Sequence, residues 1–309
     1  MKKKNLFGIV STVLISCLFY TSTAFAAPTP QLTAPTNQAR NYMLKLGIDS
    51  NFVKNAPDSE VLKYANAKTV SQVAKYYRIS SEPTTSSNAS TSKSKSDIKS
   101  IAVEISKEQC DNEVAAFNKA NNSTLNNVIS PASVTDGHNI KNPSWLKLEI
   151  WANSTSASKY HLSEAATWLT NPVYREKDVL GIGHDVNLKL LQNTGYFYSQ
   201  YLETAHSNWI TSSTNTFDKE DIGGCGFIYN LPVDYAPNYV YNNFYSYMSY
   251  DVNVSPSSYV GPLNVSGYYE HQQTNWSIAP SFSFPSGGSI TINSASSYDP
   301  VNVVASFSH

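Results

Sequence analysis

The sequence is poor in charged residues and in cysteine. Charged residues fill 15% of the 309 positions, 22 basic against 23 acidic, and there are 3 cysteines. The formal charge of −1 argues against a nucleic-acid-binding protein, which needs a basic surface to contact phosphates. It also gives no electrostatic attraction to an anionic membrane. With 41% hydrophobic residues the chain can bury a core, which excludes wholesale disorder.

Motifs of the common catalytic and cofactor sites are also missing. The sequence contains no G-x-S-x-G elbow, no H-E-x-x-H or C-x-x-C motif, no phosphate-binding loop and no dinucleotide fingerprint. It has no D-x-D-x-D-G calcium loop either. No cofactor is therefore predicted. An extracellular hydrolase whose site is assembled from distant residues stays an alternative, because β-sandwich enzymes need no local motif.

The first 26 residues are predicted to be a secretory signal peptide. Lys2 to Lys4 form the positive start, Leu6 to Tyr20 the apolar stretch, and Ala24-Phe25-Ala26 a small-x-small cleavage site. Loss of the three leader lysines would leave 19 basic against 23 acidic residues, a charge of −4. No later segment is long and apolar enough to cross a bilayer, so a secreted protein is expected.

Two resemblances concern this leader. Leu14-Ile15-Ser16-Cys17 resembles the lipobox of bacterial lipoproteins, and that resemblance implies a lipid anchor on Cys17 as the alternative to release. The leader as a whole resembles a Gram-positive export signal, which implies a bacterial, extracellular protein.

The two remaining cysteines, Cys110 and Cys225, are predicted to form a disulfide, because secretion exposes them to an oxidising environment. Cys225 lies in the run Gly223-Gly224-Cys225-Gly226, so a nucleophilic thiol is the rival interpretation. A thiolate needs an activating base, and the sequence places none beside it.

Three regions follow the leader. Residues 27–79 are predicted to be a short helical module, because apolar residues recur there at spacings of three and four, with a third helix beginning at Thr69. Residues 80–96 are rich in Ser and Thr and are predicted to be a linker. Residues 97–309 are predicted to form a second domain.

That second domain is predicted to be mainly β, an antiparallel β-sandwich that could take the form of a jelly roll. Apolar and polar residues alternate with period two in several stretches, as expected for strands with one buried face. The clearest stretches are 146–151, 180–190, 276–284 and 301–307. A short helix is expected over 111–120.

Three residues are the hydrolase candidates. His184 falls in phase with the apolar residues of its strand and could act as a general base or metal ligand, with Asp185 beside it. Glu270 could pair with Glu149 or Glu164 as the two carboxylates of a glycosidase-like site. The alternatives are a buried structural histidine and solvated strand residues.

An acidic loop is the candidate metal site. Asp218, Glu220 and Asp221 stand close together before Gly223, and clustered carboxylates suit calcium. A solvated loop with no bound ion is the alternative, so any calcium would be structural.

A row of aromatic residues is the candidate ligand surface. If residues 239–254 form a strand, Tyr239, Tyr241, Asn243, Tyr245 and Tyr247 share the face opposite the core. Tyrosine offers a flat apolar ring with a polar tip, which suits a glycan ligand. The alternative is cross-strand aromatic packing without a ligand.

The sequence therefore favours a secreted, non-catalytic binding or interaction protein for glycan or cell-envelope material. The alternatives are an extracellular hydrolase and a β-pore-forming toxin-like protein. The toxin hypothesis depends on Ser277 to Asn293, whose Ser/Thr-rich alternation is typical of membrane-inserting hairpins, although Pro280 argues against a central barrel strand.

Overall fold

A computed structural model describes residues 34–83, 98–124, 143–172, 175, 177–234, 240–272, 282–285, 291–292 and 298–309. Within it, residues 34–309 form one compact unit. The predicted signal peptide, the lipid anchor at Cys17 and residues 84–96 of the predicted linker lie outside the described residues.

Four α-helices and one 3-10 helix are present among the described residues. They are α1 (Ala34–Lys45), α2 (Ser50–Asn55), α3 (Asp58–Val61), the 3-10 helix η1 (Leu62–Tyr64) and α4 (Lys107–Thr124). The helical start of the predicted module is thus confirmed, and α4 contains the short helix expected over 111–120.

Fifteen strands form the rest of the described fold. They are β1 (Lys68–Pro83), β2 (Ile98–Ile105), β3 (Ser144–Ser154), β4 (Lys159–Trp168), β5 (Lys177–His184), β6 (Leu188–Leu190), β7 (Tyr196–Glu203), β8 (Asn208–Thr214), β9 (Lys219–Asp221), β10 (Gly224–Asn230), β11 (Tyr241–Val254), β12 (Pro262–Gln272), β13 (Phe282–Ser283), β14 (Thr291–Ile292) and β15 (Tyr298–Ser308). All of their pairings are antiparallel.

The strands make two large sheets that pack face to face. Sheet A has the order β2-β1-β3-β4-β11-β7-β8, with β6 also paired to β11, and sheet B has the order β15-β12-β5-β10-β9. One hydrophobic core lies between them, with Leu148 and Met248 from sheet A against Ile182 and Val265 from sheet B. The predicted antiparallel β-sandwich, preceded by a short helical segment, is confirmed.

The outer face of sheet A carries a second core. Residues of α1, α2, α3 and η1 pack there against alternate residues of β3, β4, β7 and β11, among them Trp151, Ala165 and Tyr247. Since successive side chains of a strand point to opposite faces, the strands in the middle of sheet A are buried on both sides.

The third predicted helix is wrong. From Lys68 the chain forms β1, which pairs with β2 on one side and β3 on the other, with Tyr77 opposite Leu146 and Val73 opposite Ile150. Residues 80–83 of the predicted linker belong to the same strand. Apolar residues spaced by three and four did not decide the structure here, because β-branched residues between two hydrogen-bonding neighbours favour a strand.

Candidate functional site

An open groove runs along the exposed side of α1. The helix buries Ala39 and Met43 against the outer face of sheet A. It ends in a Schellman motif, in which Gly47 has a φ of 81° and Ile48 donates its backbone N–H to the Met43 carbonyl at 3.2 Å. This anchored face leaves the opposite side chains of α1 in solvent, above the turn that joins η1 to β1.

The groove encloses about 470 Å³, within the range of small-ligand sites. Its lining combines amide, phenol and amine groups with two alanines, and consists of Gln38, Asn41, Tyr42, Lys45, Tyr64, Ala65 and Ala67. None of these lining residues is a carboxylic acid or a histidine. The groove can therefore donate and accept hydrogen bonds, and its lining contains neither a carboxylate nor an imidazole, the commonest general acids and bases.

Hydrogen bonds fix the floor of the groove. The Tyr42 hydroxyl lies 2.8 Å from Thr69 Oγ1 and accepts the backbone N–H of Thr69 at 2.8 Å, which ties α1 to the start of β1. The buried Tyr64 hydroxyl donates to Ser163 Oγ at 2.9 Å. A groove with its floor held in this way needs little reorganisation to bind a ligand.

The side chains on the rim of the groove, in contrast, lack such hydrogen bonds. The side chains of Gln38, Asn41 and Lys45 are exposed and form no hydrogen bond or ion pair with another described residue. These three polar groups are the ones available to a ligand.

The predicted tyrosine surface is wrong for Tyr245 and Tyr247. Both rings are buried, because Phe52 of α2 lies on them with its ring centroid 4.4 Å from that of Tyr247 and 6.0 Å from that of Tyr245. The two residues do share the face opposite the main core, as the alternation predicted, but the helices cover that face.

The other described residues of the predicted surface are not covered by the helices in the same way as Tyr245 and Tyr247. Tyr241 is half-buried and packs against Tyr201, with a centroid distance of 5.3 Å. Asn243 is exposed in the left-handed region at φ 55°, within a bulge that shifts the register of β11. Tyr239 lies outside the described residues. The described part of the row is therefore no continuous tyrosine surface.

A buried charge network joins the helices to sheet A. Glu60 of α3 lies 2.6 Å from Lys63 Nζ and 3.3 Å from His161 Nε2, and its Oε1 accepts the Tyr247 hydroxyl at 2.8 Å and the Ser249 hydroxyl at 2.7 Å. Burial alone would raise the pKa of Glu60, but Lys63 and His161 hold it well below its ordinary value.

The other nitrogen of His161, Nδ1, lies 2.8 Å from Asp251 Oδ1, and Lys159 Nζ lies 2.8 Å from Asp251 Oδ2. Burial would raise the pKa of Asp251, yet His161 and then Lys159 lower it to about 2. Sequence analysis missed these pairs, because only the register between β4 and β11 places His161 opposite Asp251.

The hydrolase candidates are not brought together. His184 is buried beside Tyr250, and burial lowers its pKa. Its Nδ1 lies 3.1 Å from the Asp185 backbone carbonyl, whereas the Asp185 carboxylate accepts the Asn187 backbone and side-chain N–H groups at 2.9 Å. Glu270 lies on the outer face of sheet B, away from the inner face that holds His184.

The predicted carboxylate pair is also not formed. Strand alternation places Glu149 on the outer face of sheet A, Glu164 between the sheets and Glu270 on the outer face of sheet B. Glu164 and Glu270 are buried without a hydrogen-bond partner, and burial raises the pKa of Glu270 to about 8. Two carboxylates on different faces cannot flank one glycosidic bond.

Another acid–histidine pair lies between the sheets. Asp178 Oδ1 lies 2.9 Å from His271 Nδ1, and its Oδ2 accepts the Tyr269 hydroxyl. The Trp168 indole donates to that hydroxyl at 2.8 Å. All of these groups are buried, so they satisfy one another's hydrogen bonds within the core, and no sequence motif signals the arrangement.

The carboxylates of the acidic loop accept hydrogen bonds from other parts of the protein. Asp218 Oδ2 accepts the Ile228 backbone N–H at 2.7 Å, Glu220 Oε1 accepts the Gln192 amide at 2.8 Å, and Asp221 Oδ2 accepts the Phe284 backbone N–H at 2.9 Å. Among the described residues, no group of three His, Cys, Asp or Glu side chains is placed to hold a metal ion. Calcium binding at this loop stays a prediction.

The predicted disulfide is not formed, and both cysteines are free. Cys110 of α4 packs against Ile105 and Trp145, whereas Cys225 belongs to the core between the sheets. Burial raises the pKa of both thiols, that of Cys110 to about 11, so neither carries the features of a catalytic nucleophile.

The hairpin of the toxin hypothesis lies largely outside the described residues. Within Ser277 to Asn293 the structure describes residues 282–285 and 291–292, where β13 pairs with β14. None of the described helices is both long and apolar enough to span a membrane.

No family model and no curated protein matches the chain. Among solved structures, a collagen-binding domain from a Staphylococcus aureus adhesin is similar over 48% of this chain and 88% of its own, with a TM-score of 0.26 and 8% identity. Clostridium perfringens delta-toxin is similar over 56% of this chain and 87% of its own, with a TM-score of 0.24 and 4% identity. At such low scores neither likeness assigns a function.

Proposed function

We propose that the chain is an extracellular, non-catalytic binding protein that holds a glycan or similar hydroxyl-rich ligand in the groove beside α1. The observation that carries the proposal is the groove itself, of about 470 Å³, with exposed amide and amine groups on its rim. An extracellular location is supported by the signal peptide that the sequence predicts over residues 1–26.

The chemistry of the rim fits such a ligand. The amides of Gln38 and Asn41 each offer donors and an acceptor, and the Lys45 amine offers three donors, so together they can satisfy hydroxyl groups of either polarity. The partly buried ring of Tyr42 adds an apolar surface for the face of a sugar. Because the lining contains neither a carboxylate nor an imidazole, binding without turnover is the proposed role.

The first measurement is co-sedimentation of the purified protein with insoluble peptidoglycan and polysaccharides. We expect saturable pelleting by the wild type. Replacing both rim amides, in the double variant Gln38→Ala and Asn41→Ala, should remove two hydrogen-bonding groups worth about 1 kcal/mol each. The dissociation constant should therefore rise roughly tenfold to thirtyfold.

Asn37→Ala is the matched control, since Asn37 is an exposed asparagine on the same helix that does not line the groove. It should leave pelleting unchanged, and all variants should keep the wild-type melting temperature because they alter exposed side chains. Lys45→Met gives a second, independent variant. Equal pelleting by the wild type and the groove variants, or no pelleting at all, would sink the proposal.

A further inference from the structure

β8 is an open edge of sheet A. It pairs with β7 on one side and has no paired strand on the other within the described residues. Six of its seven residues are exposed, and Ile210 is half-buried. The strand reads Asn-Trp-Ile-Thr-Ser-Ser-Thr, without a charged residue, a proline or a glycine.

The other edges of the two large sheets carry features that block strand addition. β2 contains Lys99 and Glu104, β15 contains Pro300, and the three residues of β9 are all charged. Such charges, prolines and short lengths are the usual protection of natural edge strands. Among the edges that the structure describes, β8 alone lacks all three.

We propose that β8 is an interaction edge at which two copies of this chain pair, antiparallel and about a two-fold axis. An edge strand meets itself in an antiparallel pair when two identical sheets join across such an axis, which makes a closed dimer. The open N–H and C=O groups of each strand then bond to the other, as in strand addition.

The side chains of β8 suit a second copy. With Thr211 on the axis, Ile210 lies opposite Ser212 of the other copy, and the two Thr211 residues face each other. Pairs of threonines across antiparallel strands are favourable, and no like charges meet. The pairing also covers the indole of Trp209, which is 37% exposed. β8 itself contains no charged residue, so the paired strands add no charge repulsion.

Sedimentation velocity of the purified protein over a wide concentration range tests this inference. We expect a species of twice the chain mass that grows with concentration. Thr211→Lys should abolish it, because the dimer would place two lysines opposite each other at the axis. Since Thr211 is exposed, the variant should keep the wild-type melting temperature, and Ser212→Lys serves as the second variant if Thr211→Lys fails to fold.

Val304→Lys is the matched control, because it adds the same charge to an exposed position on the edge strand β15. It should leave the dimer intact. Three results would each overturn the inference: a monomer at every concentration, equal loss of the dimer in Thr211→Lys and Val304→Lys, or open-ended species larger than two chains. None of them bears on ligand binding at the α1 groove.

Discussion

Glu60 joins the N-terminal helices to sheet A through a buried carboxylate. Its carboxylate is 1% exposed and contacts Lys63 and His161 as well as two hydroxyl groups of β11. Removing one partner of a buried ion pair leaves the others desolvated and uncompensated. Loss of Glu60 would therefore leave Lys63 and the buried His161 without their shared carboxylate partner.

Replacement of Glu60 should be costly. We expect Glu60→Gln to lower the free energy of unfolding by about 3 kcal/mol, the lower end for a broken buried pair, as measured by urea denaturation at neutral pH. The matched control is Asp58→Asn, which removes the half-exposed partner of Arg40 and should cost less than about 1 kcal/mol. Equal small effects in both variants would show that the Glu60 network adds nothing.

The stability difference between wild type and Glu60→Gln should decrease at acid pH. The pKa of Glu60 lies below its ordinary value of 4.5 when the protein is folded, so its contribution is complete above about pH 4.5. It is lost as the pH falls through the folded-state pKa. The gap in stability between wild type and Glu60→Gln should accordingly narrow below pH 4.5, and a constant gap down to about pH 2 would contradict the assignment.

The contribution of Glu270 to stability depends on pH with the opposite sign. Burial without a partner raises its pKa from 4.5 to about 8, so the unfolded chain releases this proton first and stability falls as the pH rises between those values. We expect Glu270→Gln to be stabilising at pH 8 by more than about 1 kcal/mol, or about 3 °C in melting temperature, and neutral near pH 4.

The control for Glu270 is an exposed carboxylate. Glu108→Gln on α4 should change the melting temperature little at either pH, because its side chain is solvated. Thermal melts of both variants at pH 4 and pH 8 test this prediction. If Glu270→Gln were destabilised at pH 8, the carboxylate would have a favourable partner.

Among the secondary-structure elements, α4 and β10 carry the two cysteines into separate clusters. We expect both Cys110 and Cys225 to be alkylated by iodoacetamide in denaturant without a reductant, since free thiols react and a disulfide does not. Addition of a reductant should leave the melting temperature unchanged. If the chain stayed unlabelled and its mass rose by about two hydrogens on reduction, the result would support the disulfide instead.

The sequence predicted individual secondary-structure elements correctly where hydrophobic periodicity alone distinguishes a strand from a helix. The alternation of Leu146, Leu148 and Ile150 placed these residues in the core, because a strand with one buried face has period two. It failed for β1, whose Val70, Val73 and Tyr77 also fit a helical spacing. There the pairing with β2 and β3 decided the structure, and no window of sequence contains those partners.

At the scale of the whole molecule, the candidate site depends on long-range contacts. The groove forms because α1 lies beside the start of β1, tied by the Tyr42 hydroxyl to Thr69. The sequence offered no signal for Gln38 or Asn41, since exposed amides on a helix are common. It pointed instead to Tyr245 and Tyr247, and it identified their face correctly but could not show what covers it.

The sequence by itself determined the β class and the alternation of the core, because both depend on residues close together in the chain. The tertiary structure alone decided which face is solvent-exposed, which acids meet histidines and which sheet edge is open. These depend on contacts between segments far apart in the chain, such as Glu60 with Ser249 and His161 with Asp251. A period-two pattern states which side chains share a face, but the neighbour that packs on that face is chosen by the whole fold.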